Sequence, residues 1–395
     1  MNIKKKLMLL GAGRGHLGVV RTAKELGINI VVVTMEGDYP CLDYADKICY
    51  GDISKPDVVL EIARKENIDG ILICCSDTGL RSVGYVSDKL DLCGLSEESA
   101  IMCANKYLMK NALESSGIRT ARFKKIANQQ ELSSALEELQ FPVIIKSTDL
   151  QGSRGIYVAK TASDAIDGFN LAIKETKQSY CIVEEFIEGL EFGAQALVYK
   201  GEILFIMPHN DETLMCNTPV PIGHSIPFTA DIEVLNDIYK QSELSIRSLN
   251  LDNCAVNIDY ILKDNKVYII ELTGRVGANC LPELVGIKYG LDYYKMVILM
   301  ALGEDPNIEF NKRILYKDIA YAKMLFSETS GNIKNVSLPK NDEYQVEFFK
   351  KKGDDISIFK NSNDAIGQII VKGKTMNECN NKISEFVKQI KIDFN

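Results

Sequence analysis

Between Leu7 and Cys75 the chain alternates short apolar or β-branched runs with amphipathic stretches, and no other feature limits its fold as strictly. Leu7–Leu10 is an apolar run ending in glycines, and Leu17–Leu26 is amphipathic and closed by Gly27. Ile28–Thr34 is too compact and too β-branched for a helix. Pro56–Lys65 reads as a helix and Gly70–Cys75 as a buried strand. Such a rhythm requires crossover connections, which build a parallel, doubly wound sheet.

The pattern changes further on. Residues Ile101–Gly117 read as one helical segment. Strands are expected at Pro142–Lys146, Ile156–Ala159, Cys181–Glu185, Ala194–Tyr199 and Ile203–Pro208, with a helix at Thr161–Lys174. This is an α+β unit with hairpins. Asn210–Thr229 carries three prolines and no clear periodicity, so it reads as a long functional loop. A helix at Glu233–Leu249, strands at Ala255–Leu262 and Lys266–Thr273, and two helices within Leu281–Leu302 follow. Pro306–Lys317 looks like a boundary, and strands with a final helix, Met376–Ile390, close the chain.

Composition narrows the functional classes. The 395 residues allow roughly two or three domains. A formal charge of −8 argues against nucleic acid and anionic membranes as partners. The 11 cysteines are odd in number and scattered, with no C-x-x-C pair, which fits buried free thiols in a reducing cytoplasm. Gly11 ends the N-terminal apolar run too early for a signal peptide, and no run reaches the length of a membrane span.

Several residues could carry chemistry. Gly13-Arg14-Gly15-His16-Leu17-Gly18 matches the dinucleotide fingerprint, yet a plain strand-to-helix turn explains it as well, and Glu36 is off-register for a ribose contact. Gly152-Ser153-Arg154-Gly155 follows Lys146 and could bring backbone N–H groups to phosphates, or simply close a hairpin. Glu184 to Glu191 ends a strand in acidic residues, suited to an adenine edge and ribose hydroxyls or to a solvated turn. Asp259 and Glu271 lie 12 residues apart on consecutive strands around a Lys263-Asp264-Asn265-Lys266 turn. Antiparallel pairing brings both carboxylates to one end of the ribbon, where two hard oxygen donors suit Mg²⁺ better than a plain salt bridge with Arg275. Arg275 itself could hold a carboxylate bidentately. His224 lies in the expected loop, either as a phosphate or substrate contact or as an incidental residue.

Taken in order, these segments resemble the ATP-grasp superfamily, in its carboxylate–amine ligase branch. The match runs from Asn105-Lys106-Tyr107-Leu108-Met109-Lys110 through Phe141–Lys146, Gly152–Gly155 and Val183–Glu191 to Asp259 and Glu271-Leu272-Thr273-Gly274-Arg275. The resemblance implies a Rossmann-like pre-ATP-grasp domain at 1–103 and an ATP-grasp domain at 104–305 with a lid at about 118–190. A C-terminal α+β segment at 306–395 completes the core. It also implies roles. Lys106 and Lys146 contact ATP phosphates under the loop of Gly152, Ser153, Arg154 and Gly155. Glu184 faces the adenine amino group, Glu185 and Ile187 offer backbone contacts, and Glu191 binds ribose. Asp259 and Glu271 hold Mg²⁺, with Mn²⁺ as a substitute, while Arg275 orients the acceptor carboxylate and stabilises the acyl phosphate. His224, Gly277 and Asn279 are implied substrate contacts, from a likeness to L-amino-acid ligases. Thr273 stands where many members have Asn, and a hydroxyl is a weaker metal ligand.

The expected function is therefore ATP-dependent amide or peptide bond formation through an acyl phosphate, on small-molecule carboxylate and amine substrates, with an amino acid preferred. A homodimer is compatible with the resemblance. The alternative is a bicarbonate- or formate-activating enzyme related to biotin carboxylase or purine biosynthesis. An NAD(P)-dependent oxidoreductase ranks last, because it leaves Asp259, Glu271 and Arg275 without a task.

Overall fold

The computed structural model describes residues 4–150, 154–215, 219–339 and 343–395. They fall into two compact units. The first comprises Met1–Met207, Ala230–Val276 and Tyr294–Ile308; the second comprises Pro208–Thr229, Gly277–Tyr293 and Glu309–Asn395.

In the first unit, the opening alternation forms a four-stranded parallel sheet in the order Lys47–Tyr50, Asn29–Thr34, Lys6–Leu10, Gly70–Leu72. Leu7 to Leu10 and Ile30 to Thr34 are buried without interruption, the pattern of strands covered on both faces. Gly27, at φ +70°, ends the helix Leu17–Glu25 as expected. The two later glycines of the fingerprint are explained by packing. A Cβ on Gly15 would meet Cys75 at 2.6 Å, and one on Gly18 would meet the Tyr294 ring at 2.2 Å. That favours the plain strand-to-helix turn.

Ile101–Gly117 is two helices, Glu97–Cys103 and Lys106–Ser115. Asn105 leaves helical geometry between them, and its side chain accepts hydrogen bonds from the amides of Tyr107 and Leu108. The apolar periodicity runs through the break, which hides it from a pattern reading. The cap makes Lys106 the first residue of a new helix, with Lys110 one turn later on the same face. Beyond it, an antiparallel sheet runs in the order Phe123–Ile126, Cys181–Glu185, Val143–Ser147, Ile156–Ala159. Helices Gln129–Glu138 and Ala162–Glu175 pack against it through Leu132, Ala135, Ala165, Phe169 and Ala172. Further along, Cys254–Lys263 lies between Lys266–Thr273 and Leu190–Tyr199, antiparallel to both.

In the second unit, residues 210–215 of the strand Glu202–Met215 pair with residues 219–225 of the strand Pro219–Ile226. That strand pairs in turn with Ile319–Leu325, followed by Gly367–Gly373 and Gln345–Phe348. Asn210–Thr229 is thus largely hairpin, and the expected loop is wrong. The register shifts at Glu212/Thr213, and Val220, Ile222, Gly223, His224, Ser225 and Ile226 are all buried. A bulged strand with little solvent-facing alternation shows no period of two. The rest of this core gathers Ile333, Ile369, Val371, Cys379, Ile383 and Phe386 under the helix Met376–Gln389. Among the described residues no helix is long and apolar enough to cross a membrane, and the described cysteines are free thiols.

Candidate functional site

Most of the expected ATP and metal residues lie in the first unit, where charged side chains line the sheet that holds Cys181–Glu185 and the Cys254–Lys263 ribbon. Glu184 sits among them with 1% exposure. The register pairs Glu184 with Ile144, which sets Lys146 diagonally opposite it. Lys146 Nζ lies 3.2 Å from both Glu184 oxygens. Lys110 Nζ lies 3.1 Å from Glu184 Oε2 and donates to Thr120 Oγ1 at 2.7 Å. Burial works to raise the Glu184 pKa, but the two ammonium groups outweigh it and hold the carboxyl below its ordinary value. Lys110 moves the other way: burial, helped by the nearby Lys146 charge, lowers its pKa. One carboxylate thus serves two buried ammonium groups, and one positive charge is left without a matched partner.

Lys106 is paired one to one. Its Nζ donates to Glu271 Oε1 at 2.9 Å and to the Leu150 carbonyl at 2.8 Å. Burial works against its charge, yet Glu271 dominates and raises its pKa. Asp259 and Glu271 face each other directly across the antiparallel ribbon, as expected, with a bulge just after Asp259. Glu271 is half-buried and Asp259 exposed. Asp259 accepts from Asn257 Nδ2 at 3.1 Å, and Gln195 Nε2 donates to Asn257 Oδ1 at 2.7 Å. These two carboxylates on one ribbon end form a hard oxygen donor pair suited to Mg²⁺.

Arg275 brings in a residue the pattern reading missed. Asp77 takes one edge of the guanidinium, with Nε 2.8 Å from Oδ1 and Nη2 3.1 Å from Oδ2. Nη1 donates to the Val276 carbonyl at 3.2 Å. Nε, Nη2 and Nη1 thus each use one N–H, and the two further N–H groups of the guanidinium suit a carboxylate or phosphate. Thr273 donates to Asp77 Oδ1 at 2.8 Å, so the doubtful metal ligand serves Asp77 instead. Burial would raise the Asp77 pKa, but Arg275 and the Thr273 hydrogen bond hold it below 3.8. A signal for Asp77 existed: it follows the carboxyl end of the parallel strand Gly70–Leu72, where open α/β sheets carry ligand groups. Lys110 was signalled by its place one turn after Lys106 on a buried helix face.

The other expected residues divide. Gly152 and Ser153 lie outside the described residues; Arg154 is exposed. Gly155 has φ +66°, and a Cβ there would meet Ser147 Oγ at 2.3 Å. The Glu185 amide donates to the Arg122 carbonyl at 3.0 Å, and its carboxylate pairs with Arg122 at 3.1 Å. Its N–H is therefore spent, so a backbone contact from Glu185 would come from its carbonyl oxygen. Ile187 is half-buried and Glu191 exposed. Glu184 Oε1, although ion-paired, accepts no hydrogen bond. His224, Gly277 and Asn279 belong to the second unit. His224 is no loop residue: it is buried on Pro219–Ile226, with Nδ1 2.6 Å from Asp211 Oδ1.

Residues 104–217 match the family described as phosphoribosylglycinamide synthetase, ATP-grasp (A) domain. The crystal structure of phosphoribosylglycinamide synthetase from Anaerococcus prevotii is 48% identical, covers 100% of both chains and superposes with a TM-score of 0.88. The chain belongs to the ATP-grasp superfamily. ATP-grasp enzymes are ADP-forming ligases that use ATP with Mg²⁺. The formate-dependent phosphoribosylglycinamide formyltransferase of Prochlorococcus marinus (strain NATL2A) is 29% identical over 228 residues, 57% of this chain and 56% of that protein. The chain thus matches little more than half the length of that curated relative. The L-amino acid ligase from Bacillus licheniformis, at 17% identity with full coverage of both chains and a TM-score of 0.81, shares the ATP-grasp fold.

Proposed function

We propose that this ATP-grasp chain activates a small carboxylate with ATP and transfers the acyl group to the amine of a phosphoribosyl compound. The observation that carries the reading is the surplus ammonium charge at Glu184, a buried site made for an anion such as the phosphates of ATP. Lys146, Lys106, Arg154 and the loop from Gly152 to Gly155 would hold those phosphates. Glu184 Oε1, Glu185, Ile187 and Glu191 would serve adenine and ribose. Asp259 and Glu271 would hold Mg²⁺, which when bound neutralises phosphate charge. The two further N–H groups of Arg275 would orient the carboxylate, with Gly277, Asn279 and the Nε2 side of His224 as further substrate contacts. The three-part division at 1–103, 104–305 and 306–395 belongs to the same proposal, as do a homodimer and a cytoplasmic location.

In the reaction, a carboxylate oxygen attacks the γ-phosphorus and the bond to the ADP oxygen breaks, leaving an acyl phosphate. The amine then adds to the acyl carbon, phosphate leaves and the amine loses a proton. Lysines 106 and 146 and Arg275 spread the charge that develops. The full-length likeness to a phosphoribosylglycinamide synthetase and the partial likeness to a formate-dependent formyltransferase favour the purine-related alternative over an amino-acid ligase.

An ADP-release screen tests this. Formate, bicarbonate, glycine and other amino acids are each offered with phosphoribosylamine, phosphoribosylglycinamide or a second amino acid. Turnover that needs a phosphoribosyl amine and disappears in Glu271→Gln supports the proposal. Turnover only with pairs of amino acids overturns it in favour of a dipeptide-type ligase.

A further inference from the structure

The second unit contains a cluster of which the proposed chemistry uses only the Nε2 side of His224. His209 and Asp211 are two residues apart on the strand Glu202–Met215 and so face the same side. Asp211 pairs directly with His224 across the hairpin, which brings the third side chain to that side. Both imidazoles aim Nδ1 at one oxygen: His209 Nδ1 lies 2.9 Å and His224 Nδ1 2.6 Å from Asp211 Oδ1. The three donor atoms lie within 4.8 Å of one another. The histidines are 1% and 4% exposed, and their rings meet edge to face at 5.2 Å. Lys323, the nearest cationic side chain on the neighbouring strand, is already paired with Glu212 at 2.8 Å.

Both Nδ1 atoms and the carboxylate oxygen already converge on one point. A divalent cation entering among the three atoms would take the place of the hydrogen-bonding proton at each Nδ1. Two imidazole nitrogens and one carboxylate oxygen suit the Zn²⁺ class of ions, unlike the oxygen pair of Asp259 and Glu271, which suits Mg²⁺. Three protein ligands leave at least one position for water or an incoming group. We propose that His209, Asp211 and His224 form a second metal site, selective for zinc-like transition ions. His209 Nε2 is buried and without a hydrogen-bond partner. A metal-bound His209 therefore lacks the outer acceptor that usually strengthens such a ligand, and affinity should fall roughly 10–100-fold short of a fully supported site.

The histidine count makes the test clean. The chain has 3 histidines, and the third, His16, belongs to the first unit. Metal-stripped full-length protein is titrated with Zn²⁺, in excess Mg²⁺, while the imidazole ring protons are followed by NMR. The expected result is saturation at one ion per chain, with the signals of two histidines shifting and the third staying still. Co²⁺ should give a visible d–d spectrum that Zn²⁺ removes, that Asp211→Asn abolishes and that Glu271→Gln retains. Unmoved imidazole signals overturn the proposal, as does unsaturable binding or a shift of all three. The wild-type measurement stands even if the Asp211 variant fails to fold.

Discussion

Glu184 in the first unit and Asp211 in the second are each a sheltered carboxylate shared by two basic side chains, yet the bases differ in kind. Lys110 and Lys146 both carry charge, so the Glu184 cluster is left with +1. At Asp211 the two partners are imidazoles, which are common metal ligands through the same kind of ring nitrogen that meets the carboxylate here. On the proposals above, the same two-to-one geometry serves an anion in one unit and a cation in the other. The identity of the bases distinguishes the two, because an ammonium group is a cation without acceptor capacity and an imidazole can offer a lone pair to a metal.

The contrast can be broken most directly at Glu184. Glu184→Gln leaves two ammonium groups side by side in a buried setting and should destabilise the protein by about 3–5 kcal/mol in urea unfolding. The contrast fails if this variant is as stable as wild type.

His16 sharpens the comparison as a buried imidazole with no carboxylate. Burial, only partly offset by the nearby Gly13 and Leu10 carbonyls, takes its pKa from 6.5 to about 4. The unfolded chain then binds the proton more readily than the folded one. Stability should fall as pH drops from 6.5 towards 4, by about 3 kcal/mol in total. Unfolding curves of wild type and His16→Gln should diverge across that window, with the variant less pH-dependent; parallel curves would exclude this contribution.

Asp211→Asn should cost less, about 1–3 kcal/mol, because the amide oxygen can still accept a hydrogen bond from an imidazole where Glu184→Gln removes the counter-ion of two ammonium groups. The same urea assay checks the order of the two carboxylate variants.

The mildest change is expected for Lys110→Met, which restores a one-to-one pair between Lys146 and Glu184. Its stability should stay within about 1.5 kcal/mol of wild type. Its affinity for ADP should drop by roughly tenfold, the loss expected for one charge-assisted contact. Unchanged ADP binding would mean that the surplus charge is not what attracts the nucleotide.

Local chemistry was readable wherever neighbours in sequence decide the structure. The buried parallel strands, the glycine cap at Gly27 and the 12-residue hairpin that aligns Asp259 with Glu271 all follow from runs and turns shorter than a dozen or so residues. Lys146 and Arg275 could also be singled out from their local sequence, whereas Lys106 came only from the resemblance. The break at Asn105 was lost because the apolar period continues through it, and the Pro219–Ile226 strand was lost because its prolines and bulge mask the alternation.

Pairings over long separations needed the tertiary structure. Asp77 meets Arg275 across 198 residues, and Lys106 meets Glu271 across 165. Lys110 joins Glu184 through the stacking of a helix on a sheet, and His209 joins His224 through the register of a hairpin that the pattern did not reveal. By itself the sequence determined which side chains could bear charge and which ribbon carries the paired carboxylates Asp259 and Glu271. The tertiary structure alone decided how many bases share each carboxylate. That number depends on which distant elements pack together, whereas the kind of base at each carboxylate was already written in the sequence.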